Sequence, residues 1–295
     1  MQTTETLKRQ IDTTGDLAVV VRTMKTLAAV NIRQYEAAAD SLKDYERILC
    51  AATEMVIWND FALQDVRSET ASKNTGLIVF GSDQGMCGGF NDAIATHVTG
   101  ILSRDCVRHS SAPMIVLGRR LVARLLDAGR EIDGSVELPG AASGITSMLQ
   151  ELLPRIDQWQ ADHALDSVIV CHNRRLSQTQ YEPTERQLLP ISPRQLVSER
   201  PKRWPGKSLP MLTLPPHELW QSIARQFLFV SSFLACAESQ ASENAARIAA
   251  MQAAETHIRE SLDDFNREYQ QLRQTSITEE LLDIITGFEA LSHSL

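Results

Sequence analysis

Gly81-Ser82-Asp83-Gln84-Gly85-Met86-Cys87-Gly88-Gly89-Phe90-Asn91 brings a hydroxyl, a carboxylate, a thiol and four glycines into one short stretch. Glycine-rich loops between a strand and a helix can cradle phosphates, because their backbone N–H groups approach the anion closely. This loop follows an apolar run and opens a helical pattern, so it stands where a dinucleotide fingerprint would. Its spacing is neither GxGxxG nor GxxxxGK[ST], and no lysine is available to reach a phosphate. Its glycines serve equally for a tight turn and for close helix–strand packing. Cys87 stands near a helix start, which lowers a thiol pKa. No histidine lies close to it in the sequence to act as its base.

The remaining chemistry-bearing residues form no constellation. Seven histidines are dispersed without an HExxH or an i, i+4 pair. Five cysteines, Cys50, Cys87, Cys106, Cys171 and Cys236, are odd in number and lack a CxxC pair. Neither a disulfide framework nor a zinc site is expected, and a reducing compartment fits best. The acidic pairs Asp263-Asp264 and Glu279-Glu280 read as solvated helix faces. No cofactor is implied. A net charge of −8, with no basic block longer than three residues, argues against nucleic acid. The N-terminus lacks the basic and apolar regions of a signal peptide. The most apolar run, Phe227 to Ala237, is far short of the ~20 residues that span a bilayer. Any membrane association is expected to run through other proteins.

Two long helical patterns must carry whatever these residues do. No glycine or proline interrupts His217 to Thr286. Alternating steps of three and four from Trp220 pass through Ile223, Phe227, Val230, Leu234, Ala237, Ala241, Ile248, Met251, Ile258, Leu262, Phe265, Tyr269 and Leu272. Only Asn244 and Glu255 break the apolar series. That period is a coiled-coil seam. At about 1.5 Å per residue the segment reaches roughly 110 Å, too long to bury its seam in one core. A weaker seam of the same period runs from Leu7 to Val56, broken by Thr14, Lys25, Glu46 and Thr53. Residues 235 to 254 are rich in alanine, which lets neighbours approach closely and also simply favours helix. After Leu272 the register slips and restarts as Ile277, Leu281, Ile284, Phe288 and Leu291, which marks the place where the last helix leaves its partner.

Between the helices the pattern changes. Leu77–Phe80, Met114–Leu117 and Val168–Cys171 are short apolar runs of the buried parallel-strand type. Helical patterns at 91–104, 119–128 and 145–160 alternate with them, which implies a small α/β layer fold. Thr184–Pro190 reads as an edge strand, and prolines then punctuate a connector up to Pro215-Pro216. The fold class is therefore α/β: a long antiparallel coiled coil of N- and C-terminal helices plus a small Rossmann-like α/β domain. The expected division is 1–66 for the first helix, 76–206 for the α/β domain and 210–292 for the last helix.

Four segments together carry a resemblance. Met24-Lys25-Thr26-Leu27-Ala28-Ala29-Val30-Asn31-Ile32-Arg33, Ser82 to Asn91, Arg247 to Ala254, and Arg273-Gln274-Thr275-Ser276-Ile277-Thr278-Glu279-Glu280-Leu281 are similar, in order and spacing, to the signatures of the gamma subunit of F-type ATP synthases. Val30-Asn31, Tyr269-Gln270 and Phe288-Glu289 depart from the usual residues and mark a diverged branch. The stretch from 92 to 216 matches in pattern only.

The resemblance implies a rotor shaft. Its two helices would pair inside a ring of three alpha and three beta subunits, with the epsilon subunit and the membrane c-ring below. ATP chemistry would belong to the beta subunits, and this chain would carry no catalytic residue. The residues it implies for partner contacts are Met24, Lys25, Arg33, Ser82, Asp83, Cys87, Arg247, Arg273, Gln274, Thr278 and Glu279. Of these, Arg273 and Gln274 would bond to loops of the surrounding subunits, and Met24-Lys25 would lie near the lever region of beta. The location implied is peripheral, at the cytoplasmic face of the bacterial plasma membrane. Two other readings stand beside this one: a small-molecule enzyme dimerised by a helical stalk, and a free-standing coiled-coil scaffold.

Overall fold

Thr3 accepts the Thr6 N–H on its hydroxyl at 3.3 Å, the geometry that closes the first turn of a helix. From there α1 runs Thr4–Asn59. Gly15 does not break it, and a side chain there would meet open space. At the other end of the chain, α5 runs Pro216–Ser292 and starts on a proline, whose missing N–H is one that a first turn leaves unpaired anyway. The computed structural model describes residues 3–59, 74–103, 112–177, 180–191 and 211–292. Residues 60–66 of the expected first helix, Cys106, and most of the proline-punctuated connector lie outside them.

Between the long helices come β1 Thr75–Phe80, α2 Phe90–Leu102, β2 Met114–Leu117, α3 Arg119–Asp127, β3 Gly134–Val136, α4 Ile145–Asp162, β4 Ser167–Arg175 and β5 Tyr181–Leu189. The sheet order is β3-β2-β1-β4-β5. β1 pairs parallel with β2 and β4, β2 with β3, and β5 closes the edge antiparallel to β4. β3 was not legible as a strand, since it is three residues long and holds one large apolar side chain, Val136. β1 is buried at every residue because both sheet faces are covered. Ile78, Phe80, Ile115, Leu117, Val168 and Val170 face α4 and the middle of α5. Leu77, Val79, Met114, Val116 and Cys171 face α2 and α3. The period of two along each strand sorts these two sets.

The chain forms two compact units, residues 28–248 and residues 1–27 with 249–295. In the first, α1 and α5 pair antiparallel. Tyr45 bonds Gln226 at 2.7 Å, Asn31 reaches Asn244 at 3.5 Å, and Leu49 and Val56 pack with Ile223, Val230 and Leu234. From Val230 to Arg247 every α5 residue except the half-buried Glu238 is buried. A helix buried on all sides has neighbours on all sides. Here they are α1, the sheet and α4, and the alanines are what let them come close.

In the second unit, Lys25 and Arg22 of α1 meet Glu255 of α5. Leu7 is fully buried, and Ile258, Leu262, Phe265, Tyr269 and Leu272 are half-buried. The register set by Lys25 and Glu255 brings Leu7 level with Leu272. Residues 273–286 are all exposed, Ile277, Leu281, Leu282, Ile284 and Ile285 among them. The slip in the apolar series thus coincides with the start of α1.

Candidate functional site

The loop from Gly81 to Gly89 leaves the carboxyl end of β1, the place where an open α/β sheet holds its ligands. Ser82 is fully buried, and its hydroxyl donates to the Gln84 carbonyl at 2.9 Å. Asn91 donates to that hydroxyl at 2.8 Å and accepts the Ser82 N–H at 3.1 Å, so one amide pins the loop to the start of α2. The Asp83 carboxylate accepts the Arg119 N–H at 2.8 Å and the Leu138 N–H at 2.7 Å, with the Arg119 guanidinium 3.6 Å away. It therefore sits at the positive end of α3 and ties that helix to the segment after β3. Gly118, at φ 109°, makes the close approach possible: a side chain there would stand 2.7 Å from the Ser82 backbone nitrogen.

What fills the crevice beyond this loop is α5. Ala246 packs on Cys87 and Phe90, with Tyr181 against them. Burial pushes the Cys87 thiol up, although its bond to Ser82 pulls the other way. A protonated, covered thiol is not a nucleophile. The reading as a small-molecule enzyme loses its crevice and its one candidate group together.

Polar groups accompany the helix where it passes the loop. Arg247 and Glu243, both nearly fully buried, form an ion pair, and Arg247 also donates to Asn244 at 3.0 Å. Asn244, a polar break in the α5 seam, thus joins Asn31 of α1 to Arg247. Burial raises the Glu243 carboxyl to about 7, against the opposing pull of Arg247. A cleft of about 190 Å³ opens beside them, lined also by Tyr35, Asp83, Arg119 and Glu137. Further along α5, Glu238 bonds the buried His172 of β4 at 2.9 Å, and Arg175 at the end of β4 reaches Glu36 of α1 at 2.7 Å. These polar contacts join α1, α5 and the sheet. Among the described residues no group of three metal-ligating side chains occurs.

The residues singled out from the sequence fall into two sets. Ser82, Asp83, Cys87 and Arg247 come together in the unit of residues 28–248 and are engaged internally. Arg273, Gln274, Thr278 and Glu279 lie exposed on the single helix beyond Leu272, where Thr278 donates only to the Gln274 carbonyl at 2.8 Å. Arg33 is exposed on α1, Met24 is half-buried, and Lys25 is half-buried and bonded to Glu255. Sequence reasoning missed His172, Glu238, Glu243 and Glu255 as contact residues. Only Glu255 carried a signal, as an interruption of the apolar seam. The others needed knowledge of which helix lies against the sheet.

A sequence model of the family described as ATP synthase matches residues 3–291. The chain is 27% identical over 225 residues to the protein named ATP synthase gamma chain of Methylibium petroleiphilum, covering 76% of each. It is 25% identical to that of Legionella pneumophila strain Paris, over 97% of this chain and 98% of the relative. Among solved structures it resembles a chain of the Tetrahymena thermophila mitochondrial ATP synthase central stalk and c-ring, with TM-score 0.57, 19% identity, and coverage of 80% of this chain and 99% of that one. It also resembles one of the Euglena gracilis mitochondrial ATP synthase OSCP/F1/c-ring assembly, with TM-score 0.63, 16% identity, and coverage of 98% and 94%. The structural likeness is one of fold.

Proposed function

The chain belongs to the ATP synthase family, and we propose that it is the gamma chain, the non-catalytic rotor of the central stalk. The observation that carries this reading is the antiparallel pairing of α1 with α5, and the continuation of α5 alone past Leu272 with Ile277, Leu281 and Ile284 bare. Bare apolar residues on an unpaired helix call for a surrounding surface. A ring of alpha and beta subunits supplies one, and the α/β domain then serves the epsilon subunit and the c-ring. ATP is made or split on the beta subunits. The shaft acts by differential contact: being asymmetric, it touches each beta subunit differently and favours a different conformation in each. Rotation passes that bias to the next subunit.

On this reading the partner-facing residues are the exposed ones, Arg33, Arg273, Gln274, Thr278 and Glu279, with Met24 at the margin. Ser82 and Asp83 serve by fixing the loop after β1 within the α/β domain, Cys87 by packing that loop on Ala246 of α5, and Arg247 by its ion pair with Glu243 and its link through Asn244 to α1. No helix among the described residues is long and apolar enough to cross a membrane. The chain is a peripheral part of its complex, and we place that complex at the cytoplasmic face of a bacterial plasma membrane. Affinity purification through a tag on this chain tests the assignment. It should bring down alpha and beta subunits in a 3:3:1 complex with ATPase activity. A chain that purifies alone, or binds a nucleotide by itself with micromolar affinity, contradicts it.

A further inference from the structure

The cleft of about 190 Å³ beside Glu243 and Arg247 lies where the segments that follow β1, β2 and β3 meet α5. Open α/β sheets bind their ligands outside the carboxyl ends of the strands. Arg247 lines this cleft and is only 5% exposed. Two of its guanidinium nitrogens are engaged, by Glu243 and Asn244, but its buried Nε–H has no hydrogen-bond partner among the described residues. Native proteins rarely leave a charged, buried donor unbonded, so this one calls for an acceptor standing in the cleft.

The rest of the lining says what kind of acceptor. Arg119, its side chain 71% exposed, brings a second guanidinium to the cleft from the start of α3. Two guanidinium groups in one small space suit an oxyanion, whose oxygens match their N–H groups. Three carboxyls then decide which oxyanion. Asp83 is already occupied by the Arg119 and Leu138 N–H groups. Glu137 stands at the rim, 75% exposed and 3.9 Å from Arg119. Glu243 is buried, and burial raises its carboxyl to about 7. A carboxylate that faces a bound anion repels it unless a proton lies between them. Hydrogen phosphate carries such a proton, and sulfate at neutral pH does not. The cleft has room for one tetrahedral oxyanion and a few waters.

We propose that this cleft binds inorganic phosphate in a protonated form, with Arg247 Nε and the Arg119 guanidinium donating to its oxygens and Glu243 sharing its proton. The inference concerns a site within this chain and stands whether or not the chain is a rotor. Bound phosphate bonds α5 to the start of α3 through one ligand. It therefore stiffens the joint between the long helix and the α/β domain when phosphate is abundant.

Hydrogen exchange read by mass spectrometry tests this locally, on the full chain in its native assembly. Millimolar inorganic phosphate should slow exchange at least about threefold in peptides that cover residues 83–84, 137–140 and 240–247. Sulfate at the same ionic strength should not. Arg119→Gln, at an exposed position outside the core, should weaken the phosphate effect about tenfold, the loss of one charged hydrogen bond. Glu243→Gln should admit sulfate, because an amide donates to either anion. ADP offers the same terminal oxygens on an ester and separates free phosphate from a nucleotide as the source. Protection of these peptides by neither anion, by both alike in the native chain, or by ADP more than by phosphate overturns the proposal. So does a phosphate effect that Arg119→Gln leaves intact, or an exclusion of sulfate that Glu243→Gln leaves intact. If Glu243→Gln does not assemble, Arg119→Gln and the sulfate comparison decide by the same criterion.

Discussion

Arg273 is exposed on the single-helix part of α5, and no other helix among the described residues covers it. If it acts by bonding a surrounding subunit, Arg273→Ala should leave the complex assembled and lower ATP synthesis in membrane vesicles by about tenfold, the loss of one charged hydrogen bond. Undiminished synthesis would remove it from the contact set. The half-buried Glu238 and the buried Glu243 titrate in opposite senses. Burial would raise Glu238, but its bond to His172 and the nearby charges outweigh that and hold it below its ordinary 4.5. Its folded-state pKa is depressed, so its contribution is present above that ordinary value and is lost as pH falls through the folded one. Glu243 is raised, so its carboxylate costs stability as pH climbs from 4.5 towards about 7. Denaturation midpoints over pH 3 to 8 should separate them. Glu238→Gln should flatten the acid-side loss, and Glu243→Gln should flatten the decline between about 5 and 7. Two variants with parallel profiles would contradict the assignment.

The middle of α5 behaves as a core strut more than as one partner of a coiled coil. Its three-and-four seam was plain in the sequence, because Trp220 to Leu272 keeps the period with two breaks. Its burial on every side was only hinted at by the alanines, since alanine also favours exposed helix. Ala246 shows the difference. It has Cys87 and Phe90 against it, so Ala246→Leu should overpack the site and cost about 1–3 kcal/mol. An exposed alanine such as Ala253 should accept leucine with a change within about 0.5 kcal/mol, measured by the same denaturation. The strands β1 and β2 and the first half of β4, Val168–Cys171, were legible as short apolar runs, but the polar second half of β4, from His172 to Arg175, was not. β3 has no such run. The glycine-rich loop was visible as a motif, but not its use. Asp83 is bound to Arg119 and Leu138, contacts between residues far apart in the chain that no local spacing announces.

In the molecule as a whole, a set of polar contacts holds the chain's own parts together. Asn31–Asn244, Glu36–Arg175, His172–Glu238 and Lys25–Glu255 each join elements distant in sequence. What it leaves outward on α5 beyond Leu272 is a bare apolar stripe with Arg273, Gln274, Thr278 and Glu279 beside it. That division suits a part that transmits force and performs no chemistry: rigid where its elements join, and exposed where it meets others. The direct test is to immobilise the purified complex by its catalytic ring, attach a bead to the α/β domain of this chain and add ATP. The account predicts sustained turning in one direction, at a rate that follows ATP hydrolysis. Hydrolysis at the normal rate with the chain retained and the bead at rest would contradict it.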